Sequence, residues 1–327
     1  MYMLERGFQW SKSLMTYEEA TEEFNTKQRQ PGQSELQPPK GGHEAISDRF
    51  SDNFSLYAQN DVFIDTRTPN DEKRGVITFF FFVLGGMLLW AAVATIWLAA
   101  RDLLTSDGDL DWEFYAFGLV LSPLTANIVL YFFLKFTIRF IRLEMFTARR
   151  IVVRFNRVTR KVYLLRPEHL GGIRIMDWHK TEILIDKKMS ELEGAGGFVV
   201  LVWDRGDGVD LRGAPTDNLE VTFVGKPTRN ASELLAFWEY IRRYMEEGPD
   251  AVPVPEKFVC KFPWPWLSFK AAWGLDTQFL RHSALWVFVV VNLLMLPAIL
   301  IHAAGHWISL LLCYEPRFPR DIEEAGR

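Results

Sequence analysis

The sequence predicts a membrane-anchored α+β protein: transmembrane helices joined to a pleckstrin-homology-like β-barrel or sandwich closed by one C-terminal helix. Three observations lead there. Apolar residues are gathered into three long blocks instead of being spread along the chain. Short β-rich runs separated by turn residues lie between the second and third blocks. Those runs end in one amphipathic stretch with helical spacing.

Composition sets the outer limits. A chain of 327 residues has room for two domains, or for one domain plus anchors. A hydrophobic share of 49% and a mean hydropathy near zero suit an ordinary globular protein, but that average conceals the segregation. A net charge of −4 gives no global attraction to nucleic acid, and none is expected as a partner. Cys260 and Cys313 are too few for a disulfide framework or a Cys-rich zinc site. They flank the third apolar block and are expected on opposite sides of a membrane. Met1 to Gln30 holds no apolar core of the signal-peptide kind, so no cleaved leader is expected.

Along the chain, residues 1–70 are acidic and polar, with a Pro/Gly/Gln-rich stretch from Arg29 to Gly42, and are expected to be largely flexible. Phe8, Trp10, Phe54 and Leu56 to Phe63 are the candidates there to pack on the middle domain. Residues 75–100 carry no charge and exceed the ~20 helical residues needed to cross ~30 Å of hydrocarbon. Residues 114–134 form the second predicted span, whose Ser122, Pro123, Thr125 and Asn127 are tolerated beside a neighbouring helix. The loop 101–113 sets Arg101 against Asp102, Asp107, Asp109 and Asp111. After the second span come Lys135, Arg139, Arg142, Arg149, Arg150, Arg154, Arg157, Arg160 and Lys161, opposed only by Glu144. Basic residues favour the cytoplasmic side, so loop 101–113 is expected in the periplasm and the middle domain in the cytoplasm.

The middle domain is predicted over residues 147–250. IVVRF and KVYLL read as a hairpin turning at Asn156 to Arg160, followed by GIRIM, EILID, FVVLVW and LEVTFV. A helix is predicted over 231–247, with Asn230 as N-cap, Glu233 completing a capping box, and Gly248-Pro249 as the stop. Leu234, Trp238, Ile241 and Met245 make its apolar face, while Arg242 and Arg243 are expected in solvent. An α+β sandwich is the alternative to the barrel. Residues 251–283 read as a linker and an interfacial aromatic belt with Trp264, Trp266, Phe269 and Trp273. Residues 284–312 form the third block, preferred as one kinked span, with two short re-entrant arms about Pro297 as the alternative. Residues 313–327 are a tail.

Candidate chemistry is sparse. His302 and His306 stand at i and i+4, but two ligands are too few for a metal, and a polar helix–helix contact or a water-exposed end is the better reading. Asp107, Asp109 and Asp111 imitate a calcium loop, yet Trp112 replaces the expected glycine and Gly118 the closing acid. Glu193 to Gly197 is glycine-rich without the Lys-Ser/Thr of a P-loop. The basic run Lys135 to Lys161 suits anionic head groups, but topology and surface strand charges account for it more simply. No catalytic, cofactor-binding or metal-binding residue is assigned, and no enzyme is expected.

At RFNRVTRKVYLL and ELLAFWEYIRRYMEEGPDAVP, and again at the ALW start of the third block and in FPRDIEE, the chain resembles a family of bacterial inner-membrane proteins of uncharacterised activity. The resemblance runs from about Arg74 to Glu324. Members of that family are often encoded beside type VI secretion toxins and are regarded as candidate immunity proteins. What this implies is a non-enzymatic immunity protein of the bacterial inner membrane, with the lipid bilayer and a cognate toxin as its partners. A membrane-docked lipid- or protein-binding adaptor is the alternative. The acids Glu18, Glu19, Glu22 and Glu23 would steer a basic toxin toward the surface.

Overall fold

A computed structural model describes residues 40, 41, 43–69, 74–105, 111–185, 197–228, 231–274 and 286–326. Phe8, Trp10, Glu18, Glu19, Glu22, Glu23, Asp107, Asp109, Glu193 to Gly196 and Asn230 lie outside the described residues. In chain order the strands are β1 (Lys40–Gly41), β2 (Leu56–Gln59), β3 (Phe63–Arg67), β4 (Val152–Asn156), β5 (Lys161–Leu165), β6 (Arg174–Asp177), β7 (Glu182–Leu184), β8 (Gly197–Trp203), β9 (Gly208–Asp210) and β10 (Glu220–Thr228). The helices are α1 (Val76–Thr105), α2 (Phe114–Ile141), α3 (Ala231–Glu246), α4 (Pro265–Trp273), α5 (Val287–Leu294), α6 (Leu296–Leu311) and α7 (Arg320–Glu323). They divide into a helical unit, drawn from 72–147 and 263–313, and a sheet unit, drawn from 2–71, 148–262 and 314–327.

In the helical unit, α1 and α2 are both long and apolar enough to cross a membrane. Few of their side chains are covered by protein, and large ones such as Trp90 and Trp97 stand in the open. A helix apolar on every face suits a hydrocarbon solvent and not water. The two helices pack antiparallel, with Phe81 stacked on Phe133 and Gly85 leaving space for that ring. The first two turns of α2, Phe114–Leu121, are π-helical, and Pro123 follows at the start of the regular helix. The third apolar block is broken: α5 and α6 meet at Met295 with a bend of 74°. Pro297 sits in the first turn of α6, where its missing N–H costs nothing.

The sheet unit holds two antiparallel sheets, one of six strands in the order β2-β3-β4-β5-β6-β9 and one of four in the order β1-β7-β8-β10. Both are open, which corrects the closed barrel. β2 and β9 are free of strand pairing to the second sheet, and a sandwich with a helix is what remains. The predicted hairpin is present: β4 pairs β5 through a turn in which Asn156 accepts hydrogen bonds from the Val158 and Thr159 amides. One core joins Val153, Phe155 and Val162 of the first sheet, Val199, Leu201 and Trp203 of the second, and Leu234, Phe237, Trp238 and Ile241 of α3. Trp238 stacks on Trp178 at 5.6 Å. Gly225 holds φ +90°, and a side chain there would meet the Phe237 ring at 2.6 Å.

Two boundaries move. Residues 56–67, which include the expected packing candidates Leu56 to Phe63, supply β2 and β3, and β3 pairs β4 in full register from Phe63–Asn156 to Arg67–Val152. Every residue of β4 is buried, so its second face is covered as well. Phe318 from the tail and Val259 from the linker pack there against Tyr57, Val152 and Leu165.

Truncating Trp238 to Ala should destabilise the sheet unit by roughly 3–5 kcal/mol in chemical denaturation. Its indole N–H is buried without a hydrogen-bond partner. Trp238→Phe removes that donor along with part of the ring and should cost clearly less. Equal losses for the two variants would mean that stacking on Trp178 is not what Trp238 contributes.

Candidate functional site

Both units hold buried polar side chains among the described residues. In the helical unit a cluster of them begins where α1 begins. The first turn of a helix leaves N–H groups without partners, and an anion is favoured there. Glu144, three residues beyond the end of α2, supplies it: its Oε2 accepts from Gly75 N at 3.0 Å, Thr78 N at 2.9 Å and the Thr78 hydroxyl at 2.9 Å. Glu144, Arg74 and Thr78 are fully buried. Arg74 donates to Cys313 Sγ at 3.5 Å, and the Cys313 thiol donates to the Glu144 carbonyl at 3.1 Å. The start of α1, the end of α2 and the end of α6 are thus tied at one point.

His302 and His306 lie on α6 at this level, but they diverge. His302 Nε2 meets the Arg74 carbonyl at 2.8 Å, and His306 Nδ1 meets Ser268 Oγ of α4 at 2.9 Å. They form the polar helix–helix contact favoured by their spacing. Among the described residues no group of three His, Cys, Asp or Glu is placed to hold a metal. Gly75 and Gly305 allow the backbones to touch: a side chain on Gly305 would meet Gly75 O at 2.5 Å.

The cluster of the sheet unit centres on Arg154 in β4. Its guanidinium makes a two-pronged pair with Asp65 of β3 at 2.7 and 2.9 Å and reaches Glu323 of α7 at 3.0 Å. The rings of Phe63 and Phe318 lie over it at 3.6 and 4.2 Å. Burial works against its charge, and the pairing with Asp65 and Glu323 outweighs burial, so its pKa is raised. Arg150 is similarly held, by the Lys261 carbonyl at 2.6 Å, Glu315 at 3.2 Å and the Tyr57 ring. Arg166 pairs with Glu220 at 2.9 Å, both buried. Arg150 and Arg154 of the basic run, and Arg166 beyond it, are thus engaged by carboxylates of the sheet unit.

A third set of contacts lines α3. Residues 43–51 run along it: His43 meets Glu246 at 2.7 Å, Ile46 N donates to Glu239 at 3.3 Å, and Ser51 N donates to the Ala236 carbonyl at 3.1 Å. Under that strap Arg242 is buried, bonded to Glu239 at 2.7 Å and Glu247 at 2.7 Å. This corrects the expectation that it faces solvent. The Thr228 hydroxyl donates to Glu233 at 2.7 Å in the first turn. At Glu239 burial opposes ionisation, but hydrogen bonds from Arg242, Arg243 and Ile46 prevail and lower its pKa. Glu246 is lowered likewise, burial being outweighed by hydrogen bonds from Trp178 and His43 and by the charge of Arg160.

Spans, open sheets and interior ion pairs together define a membrane-anchored α+β scaffold. The chain belongs to a family of unknown function (DUF6708), which matches residues 130–327. No curated protein and no solved structure matches it. Sequence reasoning did not single out Glu144, Arg74 or Arg154. Glu144 carried a signal, as the one acid in a long basic run at the end of a span. Arg154 carried another, as a charge inside the β-rich run IVVRF.

Glu144→Ala leaves two amides and one hydroxyl without their acceptor, each costing ~1–3 kcal/mol when buried. The helical unit should melt well below the parent in detergent, and Glu144→Gln, which keeps an acceptor oxygen, should lose less. The strap should respond to pH. Glu239 and Glu246 have folded-state pKa values below 4.5, so the unfolded chain binds more protons. Their contribution is complete above about 4.5 and disappears as pH falls through the lowered values. Amide exchange at Ile46 and Ser51, corrected for its intrinsic rate, should lose protection over that range and in that direction.

Proposed function

We propose that this chain is a membrane-anchored binding protein whose sheet unit faces the cytoplasm and neutralises a cognate type VI secretion toxin. The observation that carries the binding part is the use made of the interior charges. Asp65, Arg154, Arg166, Glu220, Glu239 and Arg242 are bonded to one another as scaffold, which leaves shape and surface charge as the chemistry of the sheet unit. Sequestration by surface complementarity requires nothing else. The toxin as partner follows from the resemblance at RFNRVTRKVYLL and ELLAFWEYIRRYMEEGPDAVP, and the bacterial inner membrane follows with it.

Orientation rests on charge. The exposed Arg139 and Arg142 end α2, while the acids Asp102 and Asp111 lie toward the α1–α2 connection. Cytoplasmic loops carry the excess of Lys and Arg, which assigns the α1–α2 connection to the periplasm and the ends at Gly75 and Arg142 to the cytoplasm. A lipid-binding adaptor is the rival reading. The engagement of Arg149, Arg150 and Arg154 by Glu315, Asp65 and Glu323 weakens it, because those cations are already neutralised.

Co-expression tests the proposal. Each toxin encoded beside the gene is induced with the full chain, or with the Trp238→Ala chain, after membrane insertion of both has been verified. The full chain should restore growth, and the chain with a destabilised sheet unit should fail to. Death with the full chain against every neighbouring toxin would sink the immunity reading. Equal protection by both chains would remove the sheet unit from it.

A further inference from the structure

The third apolar block has the composition of a span, and its two ends answer whether it is one. Pro263, which opens the second passage through the helical unit, accepts a hydrogen bond from the Trp307 indole at 2.9 Å. Ser268 meets His306, and Gly305 lies against Gly75. At the other end, Cys313 is bonded to Arg74 and Glu144. Both ends of 263–313 therefore lie where α1 starts and α2 ends. A single crossing has its ends a membrane apart.

The sheet unit gives the same answer independently. Arg154 binds Asp65 and Glu323 together, Arg150 binds Lys261 O and Glu315, and Val259 N donates to Leu56 O. A fold bonded in this way occupies one aqueous compartment. The chain leaves it before α1 and returns after α2, which is two crossings, and it leaves and returns again around 263–313. That second passage must also contain an even number of crossings.

Two full crossings do not fit the lengths. α4 has 9 residues, about 14 Å of helix, against a hydrocarbon core of about 30 Å. Residues 265–285 carry Lys270, Asp276 and Arg281, too many charges for that stretch of sequence to read as a span. The remaining path is α5 and α6, which meet at 74°. His302 and Gly305 of α6 meet Arg74 and Gly75, so the bend at Met295 lies at most about 11 Å from the level where α1 starts, inside one half of the core. Val287, Val290, Val291, Leu293 and Leu294 are exposed on α5, as a surface solvated by acyl chains requires.

We infer that residues 286–311 form a re-entrant hairpin that inserts into one leaflet, the leaflet in which α1 starts and α2 ends, and does not cross. Residues 314–326 then share a compartment with the sheet unit, and Cys260 and Cys313 lie on the same side of the bilayer. This replaces the kinked span preferred from the sequence.

The test uses the full chain in sealed vesicles of both orientations. A reporter joined after Arg327 is compared with one inserted after Gly208. A single thiol is introduced by Leu294→Cys in a Cys260→Ser background, with that background as the blank. The two reporters should lie on the same side, and the thiol at Leu294 should resist a membrane-impermeant maleimide from both faces while reacting with a permeant one. Reporters on opposite sides would overturn the inference, as would aqueous labelling of the thiol from either face. Val290→Cys, read in the same way, serves if the first variant does not accumulate. Neither readout depends on a toxin, so the hairpin and the immunity reading stand or fall separately.

Discussion

Removing a carboxylate or a guanidinium from water costs several kcal/mol, and the interior offsets this through hydrogen bonds and opposite charges. The chain accepts that cost at Glu144 and at Arg154, and much of its architecture follows from the coordination. Glu144 takes the amides at the start of α1, which brings the end of α2 to the same level and fixes the hairpin of spans. Arg154 takes Asp65 from a strand far upstream and Glu323 from the tail, which brings both onto β4. Loss of either charge strands its partners without compensation. In each unit, the buried ion acts as the point at which distant parts of the chain must meet.

How much of this was legible depends on the range over which each signal acts. The spans were legible because an uncharged run is a local property. So were the turn at Asn156 to Arg160 and the apolar face of α3. Sheet membership was not, since β3 and β4 are brought together across a pair of spans and no periodicity near Phe63 names its partner. The burial of Arg242 was hidden for a related reason: the strap that covers it comes from residues 43–51, remote in sequence. The face of α3 that looks polar in a helical projection is a second buried face, satisfied by Glu239 and Glu247.

The third block is instructive in a different way. A hydropathy run records which solvent surrounds a helix and not the direction it takes. Lipid solvates a helix that turns back as readily as one that crosses, so Val287 to Leu311 read as a span in either case. The Pro297 signal was ambiguous for the same reason. The informative residues were polar ones, His302, His306 and Cys313, whose partners show which ends of the helices lie together.

The sheet unit is assembled from chain segments that a ribosome delivers at widely separated moments. β2 and β3 emerge first and wait, with Asp65 unpaired, until both spans have been synthesised and β4 arrives. The sheet is then still bare on one face until Phe318 and Glu323 appear, beyond the third apolar block. Folding of this unit therefore reports on membrane insertion. On the proposed topology, a chain with one span missing or inverted places Asp65 and Arg154 in different compartments, and its half-built sheet stays open to the proteases and chaperones that remove such species. The interleaving of the two units makes correct insertion a precondition of a finished fold, a proofreading step that needs no additional factor.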